Sequence, residues 1–144
     1  MISIQGRVEI FLDRGSVFRE FSRVEGWPEW WTDCRRTELV PGWQPGSFLN
    51  LSLVPHKMVM NLRARVSGFK EPELAAFDWR RLGVIGRFTW RFSDCAQGCA
   101  VEEQVDLKGP GLFIIRGVGQ VEALGHMVQR NLDGLKAHLE NRGG

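Results

Sequence analysis

Little in this chain advertises a chemistry. Its three cysteines, Cys34, Cys95 and Cys99, are odd in number and make no disulfide framework, which suits a reducing cytoplasm. Cys95 and Cys99 flank a turn and could pair on oxidation, but as metal ligands they lack two further partners at a recognisable spacing. The three histidines, His56, His126 and His138, are far apart, and no Ser-His-Asp or Cys-His constellation assembles around them. Charge of either sign is not in excess: 19 Lys and Arg against 17 Asp and Glu give +2, too mild to announce a nucleic-acid partner without a clustered patch. No hydrophobic run approaches a membrane span, and no basic segment with an apolar core opens the chain. The glycines around Gly117 and Gly119 lack the strand, spacing and lysine of a phosphate loop. These absences lead us to expect a cytoplasmic protein with no stable membrane insertion, no metal and no cofactor.

What the chain does have is periodic apolar sequence. At 144 residues and 43% apolar composition, it fits one compact domain over residues 1–144. Ile4, Val8 and Ile10 share one parity and mark a first strand. Asp13 to Ser16 offers an N-cap, and Val17, Phe18 and Phe21 form the buried stripe of a short helix. Pro28 suits the first turn of a second short helix, where Trp27, Trp30 and Trp31 either line a cavity mouth or pin the helices to the rest. Pinning is the better reading, because aromatic clusters more often pack than bind. From Thr37 to Leu107 the pattern predicts about six strands joined by short Pro- and Gly-containing turns, hence antiparallel neighbours. After Pro110-Gly111 the period changes. Val121, Leu124, Val128, Leu132, Leu135 and Leu139 recur at steps of three and four, predicting one long amphipathic helix that starts near Leu112. One helix cannot cover both faces of such a sheet, so the sheet must fold around it.

Alternation assigns the inner side chains: Leu49, Leu51, Leu53; Met58, Met60, Leu62, Ala64, Val66; Phe77, Trp79, Arg81; Phe88, Trp90, Phe92; and Val101, Glu103, Val105, Leu107. Simple hairpins then put Leu62, Trp79, Trp90 and Glu103 in one row and Met60, Arg81, Phe88 and Val105 in the next, making Arg81 and Glu103 diagonal neighbours. The same registers align Arg63, Asp78, Arg91 and Glu102 outside and set Arg87 beside Asp106, so that opposite charges alternate. Matched charges argue against nucleic-acid binding. Arg35 and Arg36 stay unmatched and read as a solvated loop.

The opening strand, the Val17 to Phe21 helix, Trp27-Pro28 with Trp30, Pro45-Gly46-Ser47-Phe48, Phe88-Thr89-Trp90-Arg91-Phe92 and Leu132 to Glu140 together resemble the START-like superfamily, also called SRPBCC, which includes polyketide cyclases and the birch-pollen allergen family. The resemblance covers essentially the whole chain and rests on the order and spacing of these motifs. It implies an α+β helix-grip fold, in which a curved seven-stranded antiparallel sheet wraps a long C-terminal helix, with two short helices after the first strand. It also implies an apolar cavity between sheet and helix. It does not give a reaction, since such folds carry lipids, bind hormones or cyclise polyketides.

The expected ligand-facing set is Met58, Met60, Leu62, Phe77, Trp79, Arg81, Phe88, Trp90, Glu103, Gly125 and Val128. Each has a plainer account. The methionines also serve as core filler, and Trp79 and Trp90 as core aromatics. Gly125 leaves either cavity space or close helix contact, offsetting a helix cost of about 1 kcal/mol. Arg81 and Glu103 would orient a ligand in an otherwise apolar pocket, or simply form a satisfied ion pair. The leading expectation is a small hydrophobic ligand, lipid, isoprenoid or polyketide-like. An enzyme of cyclase or dehydratase type, with Glu103 or His56 moving a proton, is the less favoured alternative. A protein-interaction domain with a filled interior and an exposed apolar patch is the third.

Overall fold

A computed structural model describes residues 1–54, 59–112 and 120–143. His56 and Met58 lie outside the described residues, as does the segment before the long helix. The elements follow the expected order. Strand β1 (Ile2–Ile10) leads to α1 (Arg14–Ser22), a short 3-10 turn (Val24–Gly26) and α2 (Trp27–Trp30). Then come β2 (Cys34–Val40), β3 (Phe48–Leu53), β4 (Met60–Lys70), β5 (Leu74–Arg81), β6 (Val84–Cys95), β7 (Gly98–Lys108) and the long helix α3 (Gln120–Gly143). The seven strands form one sheet in the order β1-β7-β6-β5-β4-β3-β2, antiparallel throughout.

Local chemistry explains the helix starts. The Asp13 carboxylate accepts from Ser16 N at 2.9 Å and Ser16 Oγ at 2.7 Å, capping α1, and Pro28 sits in the first turn of α2, where no intrahelical N–H is needed. The Val17, Phe18 and Phe21 stripe of α1 is buried. Alternation also decides the strand faces. Every described inner residue assigned by parity is buried or partly buried except Arg81, which is exposed.

The registers agree only in part. Trp90 does oppose Glu103, Phe88 opposes Val105 and Arg87 opposes Asp106. Between β5 and β6, however, Trp79 opposes Gly86 and Phe77 opposes Phe88, a slip of four residues from the expected row. Between β4 and β5 the slip is two, with Val66 opposite Phe77 and Arg65 opposite Asp78. The cause is the turn at Leu82-Gly83, both at positive φ, which brings β6 in at Val84 directly after β5 rather than at Phe88. Even-numbered slips keep every side chain on its face. They nevertheless remove Arg81 from the interior, because it now pairs with Val84 at the strand end. The outer charge rows shift with them to Arg65-Asp78-Arg87-Asp106 and Arg91-Glu102-Arg7. Arg87 makes a two-point pair with Asp78 at 2.7 and 2.9 Å.

Helix α3 lies over one flank of the sheet, chiefly on β1. Gly6 permits this approach, since a Cβ there would stand 2.8 Å from Val128 Cγ1 and 3.0 Å from Leu132 Cδ1. Gly134 plays the same part against α2, where a Cβ would run into the Trp30 carbonyl oxygen. Gly134→Ala therefore sets two effects against each other. Helix propensity favours alanine by about 1 kcal/mol, whereas overpacking against rigid backbone costs about 3 kcal/mol. Chemical denaturation should show a net loss of about 2 kcal/mol, and a stabilised variant would contradict this helix-to-corner contact.

Candidate functional site

The three indoles of the α2 corner project into the space that α3 leaves over the middle strands. Trp27 and Trp31 are fully buried and Trp30 nearly so. Trp27 donates its N–H to the Phe21 carbonyl at 2.7 Å, and its ring lies within 6.2 Å of Phe77 and 5.7 Å of Trp90. Trp31 meets Phe88 and Trp90 edge-on, both at 6.0 Å. Trp90 in turn stacks on Phe88 at 5.8 Å, and Phe21 closes on it at 5.1 Å. The corner thus pins the helices and fills the centre of the interior together. Trp43, whose signal was hidden among turn residues, folds back onto α1, donates to the Ser22 carbonyl at 2.8 Å and stacks on Phe69 at 5.0 Å.

Among the expected ligand-facing residues, Leu62, Phe77, Trp79, Phe88, Trp90 and Val128 are buried in this interior, and Met60 is partly buried. Trp79 lies flat over Gly86, its cross-strand neighbour, where any Cβ would clash with the indole. Gly125 is half-buried, and a Cβ there meets nothing within 4 Å, so it borders open space and not a close contact. Arg81 is not part of the group. Its Nη1 lies 3.5 Å from the Asn61 carbonyl at one end of the strands, and the expected Arg81–Glu103 diagonal does not form.

Glu103 stands at the heart of the site without that arginine. It is fully buried in the cross-strand row Ala75-Trp90-Glu103-Gly6, beneath α3. Asn131, fully buried on the α3 face between Val128 and Leu135, faces it. Burial pushes the Glu103 carboxyl up from 4.5 to about 8, only partly opposed by the Trp90 N–H and the Asn131 amide. At neutral pH the group is therefore mostly a neutral acid, able to donate a proton. Asn131 was missed in the sequence, although a polar residue on the helix's apolar stripe is the signal that singled out Glu103 on its strand.

This polar cluster is unusual because little of its hydrogen-bonding capacity is spent in well-formed bonds. Both Glu103 oxygens, both Asn131 amide atoms and the indole nitrogens of Trp30, Trp31, Trp79 and Trp90 are buried without a hydrogen bond of ordinary geometry. A buried polar atom left unpaired costs about 1–3 kcal/mol, so a set of this size asks for a partner.

Other chemistry is less well supported. Burial pushes the Cys34 and Cys99 thiols up to about 12 and about 11, well away from reactive thiolates. Glu20, Glu29 and His138 bring ligand atoms within 4.8 Å of one another, but Arg23 already donates to both carboxylates at 2.8 Å. Two open grooves, of about 410 and 370 Å³, lie on the outer face of the sheet. Among the described residues no helix is long and apolar enough to cross a membrane.

A family model described as "Polyketide cyclase / dehydrase and lipid transport" matches residues 1–140. Solved structures share the architecture at low sequence identity. TTHA0849 from Thermus thermophilus superposes with a TM-score of 0.82 at 14% identity, covering 99% of this chain and 100% of that one. Ginseng major latex-like protein 151 from Panax ginseng gives 0.76 at 14%, covering 95% and 96%. The di-domain ARO/CYC StfQ from the steffimycin biosynthetic pathway gives 0.74 at 12%, covering 99% of this chain and 52% of that protein. No curated protein matches in sequence.

Proposed function

Because the chain belongs to the polyketide cyclase / dehydrase and lipid transport family, we propose that it holds a small, largely apolar molecule between the sheet and α3, oriented by Glu103 and Asn131. The observation that carries this reading is the cluster of buried polar atoms, close together but without well-formed hydrogen bonds, on the facing surfaces of β6, β7 and α3. A ligand with one or two hydroxyl or carbonyl groups would pair them, while its hydrocarbon would meet Met60, Leu62 and Trp79. Open space at Gly125 gives such a molecule room beside the first half of α3. The arginine first assigned to orientation is replaced by the carboxamide, so the polar handle is neutral. A ligand carboxylate would find no counter-charge in Glu103 and Asn131, and a neutral lipid, isoprenoid or polyketide fits better.

Native mass spectrometry of freshly purified protein, followed by titration with a neutral naphthylamine fluorophore, tests this. Asn131→Leu removes one polar partner without opening a cavity and should weaken copurified-ligand retention or probe binding roughly tenfold. Equal binding by parent, Asn131→Leu and Glu103→Gln would remove this assignment. A second reading, an enzyme of cyclase or dehydratase type, draws support from the raised carboxyl alone: a buried neutral acid with a pKa of about 8 is suited to donate a proton to a leaving hydroxyl.

A further inference from the structure

Leu82 is in the wrong place for a leucine. It occupies the tip of the turn between Arg81 and Val84 with φ at 50°, and its surface is 84% exposed. Left-handed positions in such turns favour Asn, Asp or Gly, so neither backbone nor packing accounts for the residue. Val59, 51% exposed, adds a second apolar side chain just before β4. The two lie at the same end of the sheet, because antiparallel β5 finishes where β4 begins, and Arg81 reaches the Asn61 carbonyl there.

The charge at this end is mostly positive. Arg80 and Arg81 immediately precede the tip, and Lys108 stands opposite Ile85 just beyond it. Asn61 then leads into the outer groove of about 370 Å³, which Arg36 and Arg63 line. Among the described residues no carboxylate forms an ion pair with Arg36, Arg63, Arg80 or Arg81, although the Arg63 guanidinium lies over the Phe48 ring, 3.9 Å from its centroid. Glu38 lines the groove but accepts from Asn50 at 3.4 Å, and Asp78 is taken by Arg87.

We infer that this end of the sheet docks on an anionic lipid surface, with the Leu82 tip entering the interfacial layer and the arginines that lack carboxylate partners meeting headgroup phosphates. Both halves of the patch are needed for that assignment. A nucleic-acid backbone would use the arginines but gains nothing from an exposed leucine at the turn tip, whereas a lipid interface takes an apolar tip and a basic rim together. Contact of this kind is peripheral and needs no membrane-spanning element. It stands whether or not the interior carries a ligand.

Co-sedimentation with vesicles tests it, using phosphatidylcholine alone and phosphatidylcholine with phosphatidylglycerol at about 3:1. The protein should bind the anionic vesicles, ignore the neutral ones and be released by salt. Leu82→Asn suits the turn and should keep the fold while weakening binding roughly tenfold. Arg80→Gln combined with Arg81→Gln should weaken it roughly twentyfold. Leu82→Trp should bind more tightly, since indoles favour the interface, and Arg7→Gln, elsewhere on the outer face, should change little. Equal binding to neutral vesicles, no binding to either, or a Leu82→Asn variant that binds like the parent would overturn the inference. Duplex DNA binding unchanged by Leu82→Asn, in place of vesicle binding, would overturn it in favour of a nucleic-acid patch.

Discussion

Glu103→Gln should flatten a stability profile that in the parent protein declines from about pH 5 to about pH 9. Folding raises this carboxyl from 4.5 to about 8, so between those values the folded chain keeps a proton that the unfolded chain has released. The stability linked to that proton is complete below 4.5 and is lost as the pH climbs through about 8, because beyond that point the folded protein must carry a buried, poorly compensated carboxylate. A shift of this size corresponds to roughly 5 kcal/mol across the window, a large share of a typical domain's stability. Glutamine keeps the shape and the hydrogen-bonding handle but has no proton to lose. Urea midpoints for the two proteins should therefore converge near pH 5, and the variant should stand higher by roughly 4–5 kcal/mol at pH 9. The difference between the two profiles cancels other titrating groups. Parallel profiles would mean that Glu103 is solvated and not buried beneath α3.

Trp27→Ala should be the most damaging single truncation in the aromatic corner. Its ring is in contact with Phe21, Trp30, Trp31, Trp43, Phe77 and Trp90, and its N–H is paired with the Phe21 carbonyl. Removing it leaves a void that neither the rigid sheet nor α2, held against α3 at Gly134, can close. A cost of about 4–5 kcal/mol follows from buried-aromatic truncations, and the lost hydrogen bond adds about 1 kcal/mol. Trp27→Phe separates the two contributions, since it keeps most of the ring packing and leaves the Phe21 carbonyl unpaired, for about 1–2 kcal/mol. A loss below about 2 kcal/mol for Trp27→Ala would show that the corner is loosely packed and not a keystone.

The sequence carried the architecture well because its signals were periodic. Parity alone placed Leu49, Leu51, Leu53, Phe77, Phe88, Trp90 and Glu103 inward, and a step of three and four placed Val128, Leu132 and Leu135 on the buried face of α3. Hairpin register was less legible, because it depends on where a turn closes. Pairing Trp79 with Trp90 set the β5–β6 turn too wide, whereas β6 begins at Val84, so Arg81, which parity had placed inward, falls at the strand end beside the turn. The polar site was half visible. Glu103 announced itself by interrupting an apolar strand face, whereas Asn131 sits on a helix that also shows Gln129 and Arg130 to solvent, and only its exact turn angle buries it. Gly6 and Gly134 were invisible as contact points, since a missing side chain says nothing until its neighbour is known.

The strand order has a consequence for how the chain reaches this state. Strands β2 through β7 pair with sequence neighbours and can zip up one hairpin after another, but β1 must wait for β7, as the Ser3–Asp106 hydrogen bond joins residues 103 positions apart. Closing so long a loop is an entropic toll that the earlier hairpins shorten by folding the intervening chain. During synthesis β1, with Ile2, Ile4 and Val8 on its inner face, is therefore the first strand to be made and the last to find its place. Until β7 emerges it is an unpaired, half-apolar edge, and the interval in which a nascent chain of this design is open to wrong partners is set by the length of chain between β1 and β7.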